Sequence, residues 1–347
     1  MMDNYDDREI ERLDLGGMPC RPRILSDGTV SIIELLRGTW ISDAQGWNLI
    51  ALPTATPNQF RLLMNQYGET LNFNRFADLN VPNRGVTQDE NSNVDQKIDA
   101  IAYEQIVHQR AVDDFPASTT PPRAKNGDGI HHEPGFFLQL LSHVTTGHTE
   151  EDGEPNGPEV KLKIARQASI PHGNSVLAMG TIETSLGAPK IEKEDATPER
   201  IKNTDFHKNP YLKPYERFEV NPFFGNVPKT LAGFPGFFPT NANAILQFAN
   251  PGSRVKQTTH LHFDTKYRNK QLTSIPISNI PFVVREANVT EMHADFWIME
   301  LNKPDESVAS EFVMQYSQTV YLEFFDSDEP GKLIRWPHVS INTLRKG

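Results

Sequence analysis

The stretch IHHEPGFFLQL at residues 130–140 places two histidines and a glutamate before an apolar run, and we predict that it forms a β-strand. Successive side chains of a strand point to opposite faces, so every second residue shares a face. One face holds His131, Glu133, Gly135, Phe137 and Gln139. The other holds Ile130, His132, Pro134, Phe136, Leu138 and Leu140. The second face is more apolar, and we predict that it packs into a core or a cavity.

Strand patterns of this kind recur along most of the chain, with β-branched and aromatic residues in short runs. The segment FVMQYSQTVYLEFF also has helical spacing, but Thr319, Val320 and Tyr321 favour a strand. Helical periodicity is confined to short segments, SDGTVSIIELLRG and the C-terminal SINTLRKG. Many strands with few helices predict an all-β fold, an antiparallel closed β-barrel of the calycin or lipocalin type.

Charge and composition exclude several functional classes. The 347 residues include 34 Lys and Arg against 45 Asp and Glu, a formal net charge of −11, which disfavours nucleic acid or an anionic membrane as partner. The single cysteine, Cys20, cannot form an intrachain disulfide. The acidic N-terminus does not resemble a secretory signal, and no apolar run is long enough for a transmembrane helix. We therefore expect a soluble cytoplasmic protein.

The chain organisation predicts an N-terminal tail, 1–25, and one barrel domain, 26–347, with a long insertion at 187–244. The insertion is rich in proline and has little regular pattern. Its second half is aromatic, which predicts packing over an opening of the barrel. The aromatic residues are Phe223, Phe224, Phe234, Phe237 and Phe238.

Two strands place histidines beside carboxylates. In TTHLHFDT, Thr258, His260, His262 and Asp264 share one face, and Leu261 and Phe263 share the other. In MHADFW, His293 and Asp295 share a face. If the two strands pair, these groups meet and offer ligands for zinc or non-haem iron. The alternative is a polar outer face of a half-buried sheet.

Two further histidines lie at backbone features. His172 lies in an IPHG turn, a short distance after Arg166 on the preceding strand. His338 follows Trp336-Pro337 near the end of the chain. The rigid Trp-Pro sequence can hold one ring nitrogen of His338 in a fixed direction toward a metal. Spacing alone also fits a surface histidine at either place. The usual nucleotide-binding, serine-hydrolase and HExxH zinc signatures are absent from the sequence.

Four blocks, taken in order, resemble the nitrobindin-like haem-binding β-barrels, relatives of the fatty-acid-binding and lipocalin group. They are LLRGTW (35–40), HHEPGFF (131–137), VKLKIARQASIPHGNSVLAMG (160–180) and WPHVSINTLRK (336–346). The resemblance implies a barrel of about ten antiparallel strands. It also implies a haem at one mouth held by His338, and a His131–Glu133 pair at that mouth.

The predicted function is therefore haem b binding, with His338 as the iron ligand and peroxide or reactive nitrogen species as reaction partners. An enzyme of this kind would be a haem-dependent peroxidase or isomerase. We expect cavity walls from Trp40, Trp47, Leu49, Phe136, Leu138 and Phe296 or Trp297. Distal polar candidates are His172, Arg166 and His262.

Two alternatives stay open on the sequence. The barrel carries a small hydrophobic ligand, with the aromatic insertion as lid. Otherwise a non-haem metal bound by His260, His262 and His293 supports an isomerase or oxygenase.

Overall fold

The computed structural model describes residues 31–54, 56, 59–74, 81–89, 92–117, 123–148, 160–170, 173–198, 212–226, 231, 233–268, 276–286, 288–305, 309–326 and 333–347. Four short α-helices occur among these residues: α1 Ile32–Leu36, α2 Lys213–Val220, α3 Ala244–Ala249 and α4 Pro281–Glu286. The first seven strands are β1 Gly38–Pro53, β2 Phe60–Asn74, β3 Val81–Asp89, β4 Ser92–Phe115, β5 Gly129–His148, β6 Val160–Ile170 and β7 Asn174–Leu186. The remaining strands are β8 Val255–Asp264, β9 Tyr267–Arg268, β10 Ile277–Asn279, β11 Asn288–Leu301, β12 Phe312–Asp326 and β13 Leu333–Lys346.

Ten of these strands form a closed antiparallel ring in the order β4-β2-β1-β13-β12-β11-β8-β7-β6-β5, which closes through the pairing of β5 with β4. The short strands β3, β9 and β10 extend β4, β5 and β7 outside the ring. The prediction of an all-β, barrel-like fold is confirmed. Closure leaves inner and outer residues alternating along every strand of the ring.

Helix α1 closes one end of the barrel. Its buried Ile32, Ile33 and Leu36 pack with inward-facing aromatic residues in one core cluster. The buried amide of Gln139 accepts hydrogen bonds from the Ile32 backbone N–H (3.0 Å) and from the Ser31 hydroxyl (3.2 Å), so it satisfies donors at the start of the helix.

Trp40 belongs to this closed end. Its indole N–H donates to the Leu36 carbonyl over 2.7 Å, and the side chain is fully buried. The residue therefore anchors the end-closing helix to β1.

The insertion packs mainly on the outside of the barrel. Its buried residues, which include Tyr215, Phe218 and Phe237, join a second core cluster with the outward-facing Trp47 and Leu49 of β1. Tyr215 also reaches a ring cluster with Phe60, Phe324 and Trp336 where β2 begins, β12 ends and β13 begins. Among the residues described, none of the insertion lines the interior cavity, so the lid prediction does not hold for that part.

Two sequence predictions about local structure are wrong. The C-terminal segment predicted as a helix is strand β13, whose Ile341 and Leu344 are buried while it pairs with both β1 and β12. On β5 the predicted faces are reversed. Glu133 and Phe137 are buried inside, whereas Phe136 is 40 % exposed on the outside. The inner face accepts Glu133 because a buried arginine meets it there.

The described helices are all too short to cross a bilayer as an apolar span.

Candidate functional site

The barrel encloses a cavity of about 510 Å³ between the α1 end and the opposite mouth. This volume lies within the range of roughly 300–1,000 Å³ typical of small-molecule sites. Much of its wall toward the mouth is aliphatic, from Ile50, Leu52, Leu63, Val107, Val112, Ile130, Ile170, Val283, Val289, Val320 and Leu322. An apolar wall over a polar floor is suited to an amphiphilic ligand.

The floor is centred on Arg166 of β6, a buried guanidinium. Its Nη2 donates to the Glu133 carboxylate at 2.7 Å, Nε donates to the Tyr103 hydroxyl at 3.2 Å, and Nη1 donates to the side-chain oxygen of Gln318. The Tyr103 hydroxyl in turn donates to Glu133. The guanidinium also lies 5.4 Å from the ring centre of Phe296. Buried charges are tolerated when they are paired and hydrogen-bonded in this way.

His131 and Glu133 pair as predicted, with 3.4 Å between His131 Nε2 and Glu133 Oε2, but Glu133 is buried on the cavity floor and not at the mouth. Burial alone would raise the pKa of Glu133. The charge of Arg166, together with hydrogen bonds from His131 and Tyr103, instead lowers that pKa to about 2. Glu133 is therefore ionised at neutral pH and balances the arginine.

A second buried carboxylate, Glu69, lies nearby with neutral donors. It accepts hydrogen bonds from the Tyr316 hydroxyl at 2.6 Å, Asn342 Nδ2 at 2.7 Å and Gln105 Nε2 at 2.8 Å. The Tyr67 and Tyr316 hydroxyls are 2.9 Å apart and extend this network into the cavity lining. Burial raises the pKa of Glu69, and the three donors only partly oppose that shift.

The residues predicted to hold haem are divided between the two faces of the barrel wall. His338 and Arg166 line the cavity, as does Phe296. Trp40 is buried in the closed end, away from the lining. His172 lies outside the described residues.

The remaining predicted wall residues face outward and do not line the cavity. They are Trp47, Leu49, Phe136, Leu138 and Trp297. The insertion covers Trp47, Leu49 and Trp297, so these strands are apolar on their outer face as well. Hydrophobicity therefore did not distinguish inside from outside on these strands.

A cluster of histidines lies on the outer face of the same barrel. Strands β8 and β11 pair, as the metal prediction required, with His262 opposite Asp295. His260 Nε2 is 2.7 Å and His262 Nδ1 is 2.8 Å from the same Asp295 Oδ1. The His260 ring stacks on Trp297 with centroids 5.5 Å apart and planes at 12°. His262, predicted as a distal cavity residue, is in this outer cluster instead.

His293 joins the edge of the cluster. Its Nε2 lies 3.4 Å from Glu194 Oε1, and the Thr319 hydroxyl donates to that oxygen over 2.7 Å. Burial alone would lower the pKa of His293, but Glu194 raises it above the ordinary value. The closest His/His/carboxylate group in the described residues is thus His260, His262 and Asp295, and His293 is not part of it.

Sequence reasoning missed most of the cavity floor. Tyr103, Gln318 and Glu69 were not singled out, because each lies in an ordinary alternating strand with no motif around it. The available signal was positional. Glu69, Leu71 and Phe73 are every second residue of β2, so the carboxylate of Glu69 lies on the same strand face as two core residues.

Comparison of the chain with models of known protein families, with curated proteins and with solved structures finds no match.

Proposed function

We propose that this protein binds a small, mainly apolar molecule inside its barrel, and that haem b is the first candidate. The observation that carries the proposal is the closed ring of strands around a cavity of about 510 Å³. Its aliphatic wall offers burial to the body of a ligand, and its converging polar floor offers orientation. The resemblance to nitrobindin-like barrels supports the choice of haem.

The residues of the cavity fit a haem. His338 contributes an imidazole to the wall, next to the aliphatic Val320 with which it pairs in register. Arg61 and Arg123 line the same cavity and both pair with Asp114, and Arg123 also lies 3.9 Å from Asp113, so in this proposal their guanidiniums would offer hydrogen-bond donors to anionic groups of a ligand. In this proposal His338 would hold the iron, and the aliphatic residues would cover the macrocycle.

A haem iron held by one imidazole supplies an open position for a diatomic molecule or peroxide. The contribution of this chain is to exclude water with the aliphatic wall and to fix polar groups near the ligand. Arg166 and Tyr103 are held by Glu133 and cannot rotate freely. They present a fixed electrostatic environment to whatever the cavity binds.

The test is an absorption spectrum of the full chain purified from haem-replete cells, followed by a titration of the colourless fraction with haemin. A Soret band at one haem per chain is expected. His338→Ala should abolish it, whereas His131→Ala, which removes the other described histidine of the cavity lining, should keep it. A protein that stays colourless and takes up no haemin would overturn the haem assignment.

The broader proposal has its own test. Solvent extraction of the purified protein with mass spectrometry would identify a bound apolar molecule. Val320→Trp places an indole in the cavity beside His338 and removes space for a ligand. We expect it to weaken binding of a fluorescent apolar probe by at least about tenfold, which corresponds to about 1.4 kcal/mol. Unchanged uptake in Val320→Trp would show that the cavity is not the binding site.

A further inference from the structure

The outer histidine cluster is independent of the cavity and carries a separate inference. We propose that His260, His262 and Asp295 form a binding site for a divalent transition-metal ion such as Zn²⁺ or Fe²⁺. Each of the three offers one ligand atom, and these atoms lie within 4.8 Å of one another. Two imidazoles with one carboxylate are a ligand set that suits zinc or non-haem iron and leaves coordination positions open.

The present contacts are shorter than metal coordination requires. Both imidazoles approach the single oxygen Asp295 Oδ1, at 2.7 and 2.8 Å. Metal–nitrogen distances of 2.0–2.1 Å in tetrahedral geometry place ligand atoms roughly 3.3 Å apart. To admit an ion, the imidazoles must therefore move away from Asp295 Oδ1 by about half an ångström, and ligand atoms now up to 4.8 Å apart must converge to that spacing.

The backbone fixes the three ligands before any ion arrives. His262 and Asp295 are register partners in the paired strands β8 and β11, and His260 precedes His262 on the same face. Trp297 stacks on the His260 ring and limits its rotation. Sites on strands hold their geometry better than sites on loops.

The charge of the cleft beside the cluster favours a cation. Its lining has four carboxylates, Glu183, Glu192, Glu194 and Asp295, against Lys190 and Lys193. The backbone of Glu194 is fixed in turn, because the Ala242 N–H donates to its carbonyl over 2.8 Å.

The site is reachable from solvent. The side chains of His260, His262 and Asp295 are 30 %, 28 % and 24 % exposed. His260 and Asp295 line a cleft of about 330 Å³ between the barrel wall and the segment that contains Glu192 and Glu194. An ion can therefore enter, and a small molecule in the cleft can reach its open positions.

The test uses the full chain stripped with EDTA and titrated with Zn²⁺ by calorimetry, with the visible bands of Co²⁺ as a report of imidazole coordination. One Zn²⁺ per chain is expected, and Mg²⁺ or Ca²⁺ should not compete because hard cations prefer oxygen ligands. Asp295→Asn, His260→Ala and His262→Ala should each weaken Zn²⁺ binding by roughly 100-fold or more.

His132→Ala is the matched control. His132 is also an outer-face histidine paired with a carboxylate, at 2.9 Å from Glu104, but it lies on β5 away from the cluster. Its loss should leave Zn²⁺ affinity unchanged. His293→Ala should weaken binding by no more than about tenfold, since His293 is not one of the three ligands.

Two outcomes would overturn the proposal: less than one Zn²⁺ per chain, or wild-type affinity in Asp295→Asn. Far-UV circular dichroism and uptake of the apolar probe by the cavity show whether each variant is folded. Conversely, His338→Ala should bind Zn²⁺ normally, so failure of the cavity proposal and failure of the metal proposal are distinguishable.

Discussion

Two charged networks lie on opposite sides of the same barrel wall. Phe296 faces inward beneath Arg166, whereas its neighbours Asp295 and Trp297 face outward beside His260. The inner network is buried, and its arginine is matched by the carboxylate of Glu133. The outer network is about a quarter exposed, and two imidazoles share one carboxylate.

The difference lies in what each network tolerates. Inside, the side chains of Arg166 and Glu133 are only 4 % and 2 % exposed, so a charge that loses its partner has a large desolvation cost. Outside, water and ions can substitute for a lost partner. The inner network is therefore suited to hold a permanent shape, and the outer one to exchange what it binds.

The largest effect should follow loss of the buried guanidinium. Arg166→Met leaves the buried Glu133 carboxyl without its charge partner, and we expect the free energy of unfolding to fall by about 3–5 kcal/mol. Urea denaturation of the full chain measures it. The matched control is Arg345→Met, which removes an exposed arginine paired with Glu311 at 2.9 Å. That loss should be about 1 kcal/mol.

An equal loss of unfolding free energy in Arg166→Met and in its control would contradict the view that the buried network tolerates the loss of a partner less well. The double variant Arg166→Met with Glu133→Gln should recover part of the stability, since it removes both charges together.

The second effect is the pH dependence of stability below neutral pH. The pKa of Glu133 is about 2 in the folded protein and 4.5 for the ordinary group. A lowered folded pKa contributes stability above the unfolded pKa, and this contribution is lost as pH falls from about 5 toward 2. At about 1.4 kcal/mol per unit, about 3 kcal/mol is at stake. Denaturation midpoints across this window should fall steeply for wild type and less for Glu133→Gln.

Glu69 provides the contrast with the opposite sign. Burial raises its folded pKa, so its contribution is present below pH 4.5 and is lost as pH rises through the folded pKa. Glu69→Gln should therefore lose less stability than wild type between pH 4.5 and pH 8, as urea denaturation would measure. An equal loss in both proteins would mean that Glu69 does not cause the pH dependence in this window.

The sequence predicted which residues share a strand face better than it predicted which face lies inside the barrel. The alternation of Leu261 and Phe263 against His260 and His262 correctly gave two faces of β8, because inner packing there is aromatic. On β5 the same rule gave the two faces but assigned the wrong one to the interior. Nothing local to His131 or Phe136 indicates that Arg166, more than thirty residues away, neutralises the polar face.

The ligand set was predicted incompletely for a similar reason. His260 and His262 are visible as a pair in one strand, but the choice between His293 and Asp295 depends on the register of two strands far apart in sequence. Likewise Trp47 looked like a cavity wall because it is apolar. Its true partner, Phe234 of the insertion with ring centroids 5.9 Å apart, carries no signal near β1.

A smaller effect tests how tightly the inner face is packed. Gly135 lies on the inner face of β5, where an added Cβ would be 2.7 Å from the Tyr103 ring and would collide with the Gln167 carbonyl. Gly135→Ala should cost about 1–3 kcal/mol through overpacking. Gly129→Ala on the same strand is the control, because an added Cβ there meets nothing within 4 Å. Thermal unfolding of both variants gives the comparison, and equal midpoints would show that the floor can relax.

The smallest effect concerns the outer network without metal. In EDTA, Asp295→Asn should change the free energy of unfolding by about 1 kcal/mol, because water reaches the imidazoles that lose the charge. Addition of Zn²⁺ at one hundred times its dissociation constant should then stabilise wild type by about 2.7 kcal/mol and the variant by much less. A loss in EDTA as large as that of Arg166→Met would mean that the outer cluster is also a fixed structural network. A small loss of unfolding free energy in EDTA, with a large difference between wild type and Asp295→Asn in Zn²⁺, would show that the outer network exchanges a ligand whereas the inner one is structural.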